Sequence, residues 1–111
     1  MKTYKNARWK TFSDVRSTYT EDGATLLQIG RGLCYSLNPV AARIWASIEK
    51  SPDGTTLDGI VTALETDFSM PRHQLLTDSY ECLQKLQQDR LIHCNGETVP
   101  KKTGKWGWQK L

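Results

Sequence analysis

The sequence predicts an α+β domain of the winged helix-turn-helix type, with a three-stranded antiparallel meander followed by three helices and a short terminal strand. Three observations predict it. Short β-favouring runs are separated by turns at Glu21-Asp22-Gly23 and Gly30-Arg31-Gly32. At Asn38-Pro39 the apolar pattern changes from strand alternation to helical spacing. Two more helix starts follow, at Thr55-Thr56 and Pro71, before a last apolar run at Leu91-Ile92.

The first strand is expected over about residues 12–20, where Phe12, Val15, Thr18, Tyr19 and Thr20 favour extended backbone. Gly23 can take the positive φ that a tight hairpin needs. A second strand covers 24–29, with Leu27 and Ile29 on one face. The third, 33–37, alternates cleanly: Leu33, Tyr35 and Leu37 point one way, Cys34 and Ser36 the other. Asn38 is a good N-cap, and Pro39 suits a first helical position because no amide bond is lost there. Ala41, Ile44, Trp45 and Ile48 then keep one helical face until Ser51-Pro52-Asp53-Gly54 ends it.

Thr55 or Thr56 caps the second helix, whose apolar side is Leu57, Ile60, Val61, Leu64 and Phe68. Gly59 weakens it by about 1 kcal/mol relative to Ala. Pro71 opens a longer third helix reaching about Arg90, with a stripe of Leu75, Ser79, Cys82, Leu83 and Leu86. Leu76 and Tyr80 widen that stripe beyond what core packing alone requires. Leu91 to Cys94 read as the terminal strand and Asn95-Gly96 as a turn.

At 111 residues the chain has room for one core. The expected organisation is a basic lead-in over 1–11, a folded domain over 12–96 and a basic, Trp-containing tail over 97–111. Lys2, Lys5, Arg8 and Lys10 give residues 1–12 a charge of +4, and residues 97–111 carry +3. The overall +3 therefore leaves −4 on residues 13–96. No apolar run is long enough for a secretory signal or a membrane span, so the expected location is the cytoplasm. Three cysteines without Cys-x-x-Cys spacing fit reduced thiols, and His73 and His93 stand apart, so neither metal nor cofactor is expected.

Catalysis is not expected either. No phosphate loop is present, since Gly30-Arg31-Gly32 precedes a strand instead of opening a helix. A DNA-reading winged helix needs a basic third helix, yet Arg72, His73 and Gln74 give way to Asp78 and Glu81 on an acidic domain. Peptide binding by strand addition fits better: a short third strand at a sheet edge, beside a helix with an over-wide apolar arc, makes a slot.

Over about residues 24–94 the chain resembles the PqqD-like family, also called the RiPP recognition element. The resemblance is carried by Leu26-Leu27, Tyr35-x-Leu37-Asn38, Ala42-x-x-Trp45 and Leu57-x-x-Ile60-x-x-x-Leu64, then by Asp78-x-x-x-Cys82-Leu83-x-x-Leu86 and Leu91-Ile92. Where the family tends to have larger apolar residues, this chain has Ser79 and Cys82. The resemblance implies a non-catalytic module that binds the leader of a ribosomally synthesised precursor peptide. Carried over, the strand contacts are Leu33, Cys34, Tyr35, Ser36 and Leu37, and the helix contacts Leu75, Asp78, Ser79, Cys82 and Lys85. A free-standing chain of this kind resembles the leader-binding proteins of lasso-peptide biosynthesis. They deliver the precursor to a leader peptidase and a macrolactam synthetase, for which Trp106 and Trp108 offer a docking handle. A PqqD-type peptide chaperone for a radical-SAM enzyme and a winged-helix regulator are the alternatives.

Overall fold

The computed structural model describes residues 7–95 and the pair 109–110. The strands are β1 (Arg8–Thr11), β2 (Val15–Thr20), β3 (Gly23–Gln28), β4 (Leu33–Leu37), β5 (Ile92–Asn95) and β6 (Gln109–Lys110). Between β4 and β5 lie α1 (Pro39–Glu49), α2 (Leu57–Asp67) and α3 (Arg72–Gln88). The predicted meander and three helices are all present. One sheet runs β2-β3-β4-β6, and a second consists of β1 and β5, with every pairing antiparallel.

Local chemistry sets the junctions. The Asn38 side chain accepts a 2.8 Å hydrogen bond from the Ala41 amide, and Thr56 accepts from Gly59 at 3.2 Å. Helix α3 stops two residues earlier than expected. There Arg90 takes a left-handed φ of 61°, with Arg90 N–H donating to Gln87 and Leu91 N–H to Leu86. Those paired bonds are a Schellman ending, formed without the glycine that usually announces one. The Arg90 carbonyl then accepts from the buried Gln28 side chain at 2.6 Å, tying the β3–β4 hairpin to the end of α3.

The core gathers Leu26 and Leu37 from the sheet, Ile44, Trp45 and Ile48 from α1, Ile60 and Leu64 from α2, and Leu83 and Leu86 from α3. Pairing of Leu26 with Tyr35 turns both inward, which leaves Leu27 and Ile29 on the solvent side of the sheet. The end of the lead-in, Arg8–Thr11, forms a strand of its own. Trp9 is fully buried, pairs with Cys94 across β5, and exchanges main-chain hydrogen bonds of 2.9 and 3.1 Å with Thr55. Its indole N–H donates to Gln87 at 3.1 Å, and its ring meets Tyr80 edge-on at 6.5 Å. The first meander strand accordingly begins at Val15 rather than residue 12.

The β3–β4 register requires glycine at position 23. Its φ is +135°, and a Cβ there would stand 1.8 Å from the Leu37 carbonyl oxygen. Gly32 also has positive φ, at +65°, but a Cβ there meets nothing within 4 Å. Gly23→Ala should therefore cost at least about 2 kcal/mol of stability, against about 1 kcal/mol for Gly32→Ala. Thermal unfolding of the two variants measures the difference.

Candidate functional site

Strand β4 has two unlike faces and two unlike edges. Tyr35 and Leu37 are buried, Leu33 and Cys34 are half-buried, and Ser36 is exposed. The Leu37 carbonyl points at Gly23 on β3. In an antiparallel ladder, successive residues send their main-chain groups to opposite edges. Leu33, Tyr35 and Leu37 therefore bond to β3, while Cys34 and Ser36 direct N–H and C=O away from it. The outward edge is where β6 lies, with Ser36 opposite Gln109 and Tyr35 opposite Lys110. The free edge expected from sequence is thus partly occupied by the chain itself.

Helix α3 runs beside β4 in the opposite direction. At one end, Arg31 of the β3–β4 turn approaches the Asp89 carbonyl at 3.5 Å. At the other, Asn38 and Val40 share a pocket with Leu75, Asp78 and Ser79. From Leu33 to Asn38 the strand advances about 17 Å, and from Asp89 back to Asp78 the helix advances about 17 Å. The two elements frame a slot of matched length. Leu64 and Met70 complete the pocket, whose volume is about 230 Å³.

Trp9 decides which side of α3 faces this slot. It covers the flank bearing Tyr80 and Gln87, so the flank of Asp78, Lys85 and Asp89 turns toward β4. Lys85 and Asp89 form an ion pair at 3.3 Å. Burial pushes the Tyr35 hydroxyl above its ordinary pKa, and the Asp89 charge pushes it further against the pull of Arg31. The Ser79 hydroxyl, fully buried in the pocket wall, has no hydrogen-bond partner among the described residues.

Of the helix residues expected to line a groove, Asp78 and Lys85 are half-exposed, Leu75 and Ser79 are buried in the pocket wall, and Cys82 lies within the packed interior. Cys82 belongs to the core. Its thiol is fully buried, and desolvation holds it well above its usual pKa. Asn38, Val40, Met70, Arg31 and Asp89 were not expected at the site. Only the topology, which brings the β3–β4 turn to the end of α3, places them there. Trp106 and Trp108 lie outside the described residues. The basic start of α3 is neutralised: Arg72 bonds Glu65 at 2.8 Å and Asp58 at 3.3 Å.

The fold and slot define a small winged-helix-like module with a strand edge laid alongside a helix. The chain belongs to the PqqD family: the family model described as coenzyme PQQ synthesis protein D matches residues 23–92. Among solved structures, the chain is similar to TbiB1 in complex with the TbiA(beta) leader peptide, at 26% identity and a TM-score of 0.68. That likeness covers 76% of this chain and 94% of the other. It also shares its fold with a lasso peptide synthetase B1 complexed with the leader peptide, at 16% identity and a TM-score of 0.65, over 78% and 98% of the two chains. No curated protein matches.

The burial pattern makes the thiols distinguishable. In the native protein, Cys34 and Cys94 should react with a thiol-specific disulfide reagent, and Cys82 only after denaturation. Counting released chromophore before and after adding denaturant checks this.

Proposed function

We propose that this chain binds the leader segment of a ribosomally synthesised precursor peptide, of the lasso type, and presents it to the enzymes that process it. The observation that carries the reading is the outward main-chain edge of Cys34 and Ser36, set alongside α3 over a matched length. A leader laid on that edge as a strand gains ladder hydrogen bonds for affinity and α3 contacts for selectivity. The 26%-identical TbiB1, in complex with a leader peptide, supports leader binding.

In this reading Cys34 and Ser36 supply the main-chain bonds. Leu33, Tyr35 and Leu37 hold the strand in place from the core side. Leu75 and Ser79 wall a pocket for one apolar leader side chain, while Cys82 fixes the helix from beneath. Asp78 and Lys85 select charges on the leader, which affects specificity more than affinity. The chain performs no chemistry itself and works in the cytoplasm beside a leader peptidase and a macrolactam synthetase. Trp106 and Trp108 serve as the handle for those enzymes. No helix among the described residues is long and apolar enough to cross a membrane.

Titration of a labelled leader from a neighbouring precursor gene, read by fluorescence anisotropy, tests the proposal. Binding should depend little on salt. Cys34→Pro or Ser36→Pro removes an outward donor and should weaken binding by about tenfold or more while the fold persists. Tyr35→Pro removes a bond to β3 and should instead destabilise the domain. Full affinity in both outward variants overturns strand addition. Asp78→Lys, in the same titration, should shift binding several-fold toward leaders with an acid in place of a base. Salt-sensitive binding to duplex DNA with no leader binding would favour a winged-helix regulator.

A further inference from the structure

The occupant of the β4 edge is the molecule's own C-terminal segment. Gln109 and Lys110 pair with Ser36 and Tyr35, covering two of the five β4 residues. By the ladder alternation, Ser36 and Gln109 are the pair that exchanges hydrogen bonds: Ser36 N–H donates to the Gln109 carbonyl, and Gln109 N–H to the Ser36 carbonyl. These are the main-chain groups a strand-adding leader requires. Resting on the leader-binding reading, we infer that β6 is an intramolecular competitor for the leader, an internal strand that must leave before a leader can lie along β4.

Two further observations fit a displaceable occupant. The 13 residues between Asn95 and Gln109 give the segment about 45 Å of reach, more than the ~30 Å across a small domain. A two-residue ladder is weak in isolation and occupies the edge without sealing it. The charges agree as well: residues 97–111 carry +3 and residues 13–96 carry −4, so the tail is drawn to the body at low salt. A leader spanning all five β4 residues makes more of the ladder than β6 does, and so wins.

The competitor lowers apparent leader affinity by the fraction of molecules in which the edge is open. The experiment uses the full chain and its Gln109→Pro variant, which lacks the amide that donates to Ser36. In the variant, hydrogen exchange at the Ser36 amide should accelerate, while exchange at the Tyr35 amide, bonded to β3, stays unchanged. The labelled leader should bind the variant about three- to tenfold more tightly. Equal leader affinity for both proteins, or an unchanged Ser36 exchange rate, overturns the inference and leaves leader binding standing. Leader binding by neither protein brings down the leader reading, and the competitor with it.

Discussion

The close approach of Gly23 to the Leu37 carbonyl is the constraint on which the rest of this structure depends. No side chain fits between the two strands at that point, so the observed register of β3 and β4 requires glycine there. That register turns Leu26 and Tyr35 into the core together. It also decides which β4 residues spend their main-chain groups inward and which present them outward. Shifting the pairing by one residue would bury Ser36, expose Tyr35 and turn the outward edge over to different residues. Core and edge therefore both depend on one register, which Gly23 permits.

Helix α3 is held from both sides, which is why its slot-facing flank is defined. Trp9 clamps one side through Tyr80 and Gln87, while Gln28 and Arg31 of the hairpin reach its C-terminal end. The Schellman ending at Arg90 offers a carbonyl to the hairpin instead of leaving it to water. The spacing between strand and helix is thus set by directional bonds outside the slot rather than by the slot's own lining.

The sequence is legible where structure is local. The meander and all three helices follow from Gly23, Asn38-Pro39 and Thr56, because each turn or cap acts within a few residues. Strand β1 is not legible: Arg-Trp-Lys-Thr is short and charged, and it is held by partners at Thr55, Gln87 and β5 that lie far along the chain. Strand β6 leaves even less trace, since main-chain pairing places no demand on Gln109 or Lys110. The wide apolar arc of α3 reads in sequence as surface left over for a groove, whereas in the structure its Tyr80 shoulder meets Trp9. Ser79 and Cys82 predict a groove floor of altered shape. In the structure Ser79 walls the pocket beside Asn38, whereas Cys82 belongs to the core.

The pleat of β4 also limits how much information can pass across its edge. A strand lying there alternates its side chains between two faces, so only every second residue turns toward α3. Five β4 residues thus inspect about two or three side chains of whatever lies on them. The vocabulary at those positions is small: one apolar pocket, one aspartate and the Lys85–Asp89 pair. Residues facing the opposite way are invisible to the helix and can drift without consequence. Sequences sharing this edge over evolutionary time should vary in alternating columns, a comb of fixed and free positions whose teeth are set by the backbone.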